Sequence, residues 1–113
     1  MFELFEHTAD LGLRVRADDL DGLFGDAAAG LFAIIAEPAP HGPPAGRRAF
    51  EIEGERHDFL MVDWLSELLY LFDTARLLSS EFEVTVDARG LRATAACFAL
   101  DEGNYRVLRE VKA

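Results

Sequence analysis

The sequence has only one cysteine, Cys97, so no disulfide can form within its 113 residues. A catalytic thiol needs a neighbouring base or a positive field to form its thiolate, and the sequence around Cys97 indicates neither. The residue lies in the alternating stretch 92–100, which is typical of a half-buried strand. We therefore expect Cys97 to be a small core residue.

Long apolar runs are also absent, and the N-terminus lacks the basic segment and apolar stretch of an export signal. A cytoplasmic protein without membrane association is therefore expected. Basic residues are scarce: 21 acidic residues face 11 basic ones, for a net charge of −10. Because an RNA backbone is bound by Lys and Arg that neutralise phosphates, strong direct RNA binding is not expected. An acidic surface suits a divalent cation, a basic protein partner, or solubility alone.

Three familiar functional signatures are missing as well. The sequence has no glycine-rich phosphate loop, no Ser-His-Asp elbow motif and no Cys/His set with zinc spacing. Nucleotide binding, serine hydrolysis and structural zinc of those kinds are therefore unsupported. The length and the balance of apolar and charged residues predict a single domain over residues 1–113.

Two stretches of the sequence predict helices. From Leu20 to Ile35, apolar residues recur with helical spacing and form one continuous face. Asp19 is placed to cap the first turn, and Pro38 follows the end. The second helix is predicted from about Arg56 to Leu77. Its apolar residues cover more than one stripe, so we expect it to be buried on two sides, inside the domain or at an oligomer interface.

Alternation of apolar and polar residues predicts the strands. Between the first helix and the third strand, residues 37–46 hold all four prolines and predict a surface loop. The element order ββαβαβββ favours an α+β fold in which two helices pack on a mixed β-sheet. The predicted strands lie at residues 2–7, 11–17, 48–54, 82–86, 91–97 and 105–111.

A few polar residues stand in positions that could carry chemistry. His7 and Asp10 bracket the turn after the first strand, where the Asp10 carboxylate could ligate a hard cation or simply cap the turn. Asp63 and Glu67 lie four residues apart, so both are on one face of the second helix. This pair is either a buried functional site or the single hydrated stripe of an apolar helix. Lys112 is the only lysine in the chain.

Several motifs, spread over essentially the whole chain, resemble the archease family. The N-terminal stretch 5–15, Phe-Glu-His-Thr-Ala-Asp-Leu-Gly-Leu-Arg-Val, is similar to the opening signature of that family. Residues 63–73, Asp-Trp-Leu-Ser-Glu-Leu-Leu-Tyr-Leu-Phe-Asp, look like its second signature, and 110–113, Glu-Val-Lys-Ala, like the start of its third. The first helix also carries the family's Phe-x-x-Ala-Ala pattern as Phe24, Ala27 and Ala28.

The resemblance implies a function. Archeases are non-catalytic accessory proteins that activate the GTP-dependent RNA ligase of tRNA splicing. They promote its guanylylation and its multiple turnover in joining 3′-phosphate or cyclic-phosphate ends to 5′-hydroxyl RNA ends. By resemblance, Asp10 is a ligand for a divalent ion (calcium, magnesium or manganese). Glu67 and Lys112 belong to the surface that activates the partner, and His7 matches by motif.

The sequence departs from the family pattern at its C-terminus. Archeases continue past Glu-Val-Lys-Ala with further strands and an aspartate that shares the metal ion with the first aspartate, whereas this sequence stops at Ala113. Either a shortened sequence or a naturally short protein would explain this. We expect metal binding to be weakened by the missing ligand, and an exposed sheet edge to be available for self-association.

Two other functions compete with ligase activation. One is a chaperone-like interaction module for another tRNA-processing enzyme, such as a tRNA methyltransferase, a role that would need the surface but not Asp10. The other is a small metal-dependent hydrolase using Asp10 and Glu67, although the sequence shows no nucleophile for it.

Overall fold

The computed structural model describes residues 2–6, 11–15, 19–101 and 103–108. The elements follow the predicted order with one added short strand, β3, after the first helix. They are β1 (Phe2–Glu6), β2 (Leu11–Val15), α1 (Leu20–Ile35), β3 (Ala36–Glu37), β4 (Gly46–Glu53), α2 (His57–Ala75), β5 (Leu77–Asp87), β6 (Gly90–Ala99) and β7 (Arg106–Val107).

Helix α1 begins and ends where the sequence predicts. The Asp19 side chain accepts a hydrogen bond from the backbone N–H of Gly22 at 2.6 Å, which satisfies one of the free donors of the first turn. The helix ends at Ile35, and Ala36 is already extended. One face of the helix is buried, and it consists of Phe24, Ala27, Ala28, Gly30, Leu31, Phe32 and Ile35.

Helix α2 packs its inner face on the sheet and on α1. Leu60, Trp64, Leu68 and Phe72 recur every four residues on that face and are all buried. The indole N–H of Trp64, which has no exposed surface, donates to the Phe24 carbonyl at 3.0 Å and so ties the two helices together. Trp64 is thus a core residue.

Among the described helices, none is long and apolar enough to cross a membrane.

The largest sheet has three strands in the order β4-β6-β5. Both of its strand pairs are antiparallel, as are β1-β2 and β3-β7. The α+β class and the two packed helices are confirmed, but the predicted mixed sheet is wrong for the described strands. The physical reason is connectivity, because β1-β2 and β5-β6 follow each other closely in the chain and pair as hairpins, which are antiparallel.

The two edges of this sheet differ. On β5, the backbone N–H of Val86 points away from β6 and donates to the Asp21 carboxylate of α1 at 2.8 Å. Helix α1 therefore covers part of that edge. On the other side, no strand of the described residues pairs with the outer edge of β4. Helix α1 also lies beside the β1-β2 pair, and α2 lies beside β4.

The proline-rich segment between β3 and β4 is irregular, as predicted. His41 in this loop is exposed, but it is also anchored. Its backbone N–H donates to the Tyr105 hydroxyl at 3.1 Å, and the centroids of the His41 and Tyr105 rings lie 5.1 Å apart. The loop is thereby held against the segment that leads into β7.

Candidate functional site

Of the four residues predicted to form the functional surface, the structure places one. Glu67 lies in the middle of α2 and is exposed. His7, Asp10 and Lys112 lie outside the described residues. Their predicted roles in metal binding and partner activation therefore stay predictions.

Glu67 belongs to an exposed surface of α2 that we call the acidic helix face. Its members recur at helical spacing on the side of α2 opposite Trp64 and Leu68, so burial of the inner face turns all of them to solvent. The acidic helix face consists of Phe59, Val62, Asp63, Glu67, Tyr70 and Asp73.

The two central carboxylates of this face are unpaired within the described part of the chain. Asp63 and Glu67 lie one helical turn apart, and no described side chain forms an ion pair or a hydrogen bond with either. The interpretation of the pair as the hydrated stripe of the helix is confirmed, because both residues are exposed. Their oxygens are free to accept hydrogen bonds from a cationic partner.

A groove runs between the acidic helix face and the edge of the sheet. It has a volume of about 540 Å³ and is lined by Ile52 of β4 together with Asp63, Ser66, Glu67 and Tyr70 of α2. The lining combines two carboxylates, a phenol ring and an aliphatic side chain. Such a groove suits an arginine or lysine side chain, because the carboxylates accept its N–H groups while the ring and Ile52 cover its methylenes.

The described residues contain no group of three or more His, Cys, Asp or Glu side chains that could hold a metal ion. Asp63 and Glu67 alone offer two ligands on one helix, whereas calcium takes six to eight oxygens. Asp10, the predicted metal ligand, is not among the described residues. The acidic helix face is thus better suited to a protein cation than to a metal ion.

Exposed apolar residues on α2 bear on the expectation that this helix is buried on two sides, inside the domain or at an oligomer interface. Phe59, Val62 and Tyr70 leave 59%, 58% and 67% of their surface exposed, so burial of the second side inside the described domain is wrong, and burial at an oligomer interface stays a prediction. The signal was present in the sequence as an excess of apolar residues beyond one stripe. What the pattern could not show is that no described element of the chain covers the second side.

Cys97 is not suited to be a catalytic residue. It is 2% exposed, and its Sγ lies 3.9 Å from the carbonyl oxygen of Ala95. Burial raises the pKa of the Cys97 thiol, so the thiolate is disfavoured. The prediction of a small core residue is confirmed.

Comparisons with known proteins agree with the motifs and the fold. The sequence profile of the archease protein family matches residues 2–113. A protein named archease from Methanothermobacter thermautotrophicus is 36% identical over 116 residues, which cover 99% of this chain and 81% of that protein. One from Pyrococcus abyssi is 33% identical with the same coverage of both chains.

A solved structure shares the fold as well. The solution structure of Methanobacterium thermoautotrophicum protein 1598 matches with a TM-score of 0.71 and 33% identity, over 99% of this chain and 81% of that one. Sequence profile, relatives and fold all converge on one assignment. The chain belongs to the archease family.

Proposed function

We propose that this protein is a non-catalytic accessory factor that activates the GTP-dependent RNA ligase of tRNA splicing. In this role it promotes guanylylation of the ligase and its repeated turnover in joining 3′-phosphate or cyclic-phosphate ends to 5′-hydroxyl RNA ends. Membership of the archease family supports the proposal. The observation that supports it most is the acidic helix face, where Asp63 and Glu67 are exposed and no described side chain pairs with them.

The chemistry of this face fits protein recognition better than RNA recognition. Asp63 and Glu67 have no described cation partner, and the whole chain has a net charge of −10, so an RNA phosphate would be repelled. Exposed Phe59, Val62 and Tyr70 supply apolar contact area beside the two carboxylates. Aromatic side chains are enriched in protein interfaces, and carboxylates that a partner neutralises suit the polar rim around them.

In the same proposal, Asp10 ligates a divalent ion that serves guanylylation. Transfer of a nucleotidyl group develops charge that metal ions and positioned cations stabilise. Lys112 would supply a positive charge to the partner, and His7 would line the same turn as Asp10. The proposal assigns Glu67 to docking on the ligase and Asp10 to guanylylation. Substitutions of the two residues should therefore reduce stimulation of the ligase in different ways.

The test is a multiple-turnover RNA ligation assay with the ligase, GTP, a divalent ion and a catalytic amount of this protein. Glu67→Gln keeps the shape of the side chain but removes its charge, so we expect about a tenfold higher concentration for half-maximal stimulation. The maximal stimulation should change little. Glu83→Gln, on the exposed side of β5 away from the helices, is the matched control and should behave as the wild type.

Asp10→Ala forms the second arm of that assay. We expect it to abolish stimulation at every concentration while the circular dichroism spectrum stays that of the wild type. Full stimulation by Asp10→Ala would remove the metal role. If the unaltered protein fails to stimulate the ligase at all, the activator function is wrong, and assays of tRNA methyltransferase solubility and specificity become the next test.

A further inference from the structure

We infer that the outer edge of β4 pairs with β4 of a second copy of this chain, and that Arg48 of each copy enters the groove beside Glu67 of the other. The inference concerns assembly of the free protein and stands independently of the proposed function. The eight-residue strand β4 has β6 on one side and no described strand on the other.

The register shows which backbone groups the open edge presents. Gly54 N–H donates to the Arg89 carbonyl at 3.0 Å, and the pairing of β4 with β6 continues without a shift through Gly46. Alternation along an antiparallel pair then directs the even-numbered residues of β4 to β6 and the odd-numbered ones outward. The outward N–H and C=O groups belong to Arg47, Ala49, Glu51 and Glu53.

The charges on β4 are ordered so that the strand complements itself. In an antiparallel pair with its two-fold axis at Phe50, Arg47 lies opposite Glu53 of the second copy, and Ala49 lies opposite Glu51. All of these are outward residues, so the same register also satisfies their backbone groups. Charges on an edge normally prevent pairing. In this register each arginine at the edge meets a carboxylate.

On the face of the paired strands that packs against α2, the same register places a cation near the unpaired carboxylates of the groove. Arg48 falls opposite Ile52 of the second copy, in a pair whose Cβ atoms are about 5 Å apart. Ile52 lines the groove that holds Asp63 and Glu67. Arg48 is exposed, and no described group forms a hydrogen bond or an ion pair with its side chain. The two-fold axis repeats the contact, so two arginines meet two carboxylate pairs.

A strand that pairs with the outer edge of β4 must carry positive and negative side chains in the order that matches those of β4. Copies of a chain with a net charge of −10 repel each other, so self-association needs arginines that neutralise the carboxylates at the contact. The paired strands also bring the α2 helices of the two copies to the same side of a continuous sheet. Phe59, Val62 and Tyr70 are exposed on these helices and would lie on that side as well.

The experiment is sedimentation equilibrium of the unaltered protein over a wide concentration range, with no ligase present. We expect a reversible monomer–dimer equilibrium. Arg48→Glu should raise the dissociation constant at least about tenfold, because it sets like charges against each other in the groove. Arg89→Glu, in the exposed turn after β5, makes the same charge change away from the edge and should leave the equilibrium unaltered.

Two further variants separate this geometry from a general charge effect. The double variant Arg48→Glu with Glu67→Arg exchanges the two charges and should restore the dimer. Ala49→Pro removes an outward N–H but none of the bonds to β6, so it should give a folded monomer. A wild type that sediments as a monomer at every concentration overturns the inference, and so does a charge exchange that fails to restore the dimer while the protein remains folded.

Discussion

Cys97 shows how one buried side chain is kept unreactive. It lies on β6 opposite Ser79 of β5 and Gly46 of β4, and 2% of its surface is exposed. Loss of water around the thiol raises its pKa. The Ser79 hydroxyl and the positive charges of Arg48 and Arg47 only partly oppose that effect. The folded state therefore holds the proton more tightly than the unfolded state.

This difference predicts a pH dependence of stability. Because the thiol pKa is raised on folding, the contribution of Cys97 is constant below the unfolded pKa of about 8.5 and declines as the pH rises above it. Urea unfolding of the wild type and of Cys97→Ala should be compared at pH values of about 7 and about 10. We expect the stability of the wild type relative to the variant to fall at the higher pH. An unchanged difference between the two proteins would contradict the prediction.

At the scale of single residues, the sequence predicts a structural role only where neighbouring residues determine that role. The capping of α1 by Asp19 and the core position of Trp64 could be predicted, because each depends on the residue and the spacing around it. The hydration of Asp63 and Glu67 could not be decided. Whether a carboxylate on an apolar helix meets water depends on which elements cover that helix, and this is a property of the tertiary structure.

At the scale of an element, the β5-β6 hairpin depends on one glycine. Gly90 begins β6 with a φ of +149°, and a Cβ atom built there would lie 2.0 Å from the carbonyl oxygen of Ile52. The strands predicted at residues 82–86 and 91–97 are confirmed on either side of Gly90. The contact with β4 adds a requirement that no local pattern could reveal, since Ile52 is distant in sequence.

Gly90→Ala should therefore be strongly destabilising. The clash is with backbone, which cannot move without breaking the β4-β6 pairing, so we expect a loss of at least about 2 kcal/mol in the free energy of unfolding. Gly46→Ala is the matched control. It lies at the other end of β4, where a Cβ atom meets nothing within 4 Å, and it should change the stability by less than about 0.5 kcal/mol. Equal losses in the two variants would refute this explanation.

Among the other elements, those formed by local sequence patterns could be predicted, and those formed by contacts distant in sequence could not. Both helices could be predicted because their apolar spacing is continuous, and α2 ends only two residues before the predicted limit, at Ala75. Strand β3 could not be predicted. It has only two residues, Ala36 and Glu37, and its extended form is defined by pairing with Val107 and Arg106, far along the chain. An ion pair between Glu37 and Arg106 accompanies that pairing.

At the scale of the whole molecule, one groove serves both proposals. The carboxylates of Asp63 and Glu67 are assigned to a cationic ligase surface in one proposal and to Arg48 of a second copy in the other. Two occupants cannot fill the same groove at once, so dimerisation and ligase docking should compete. The dimer would then be unable to stimulate the ligase, and dilution would convert it to monomers that can.

This competition can be measured in the ligation assay. As its concentration rises into the range where it dimerises, the wild type should stimulate progressively less per chain. Arg48→Glu removes the competing arginine but leaves Asp63 and Glu67 in place, so its stimulation per chain should stay constant over that range. Sedimentation under the assay conditions shows whether each sample is monomeric. If both proteins lose stimulation in parallel while only the wild type dimerises, the ligase does not use this groove.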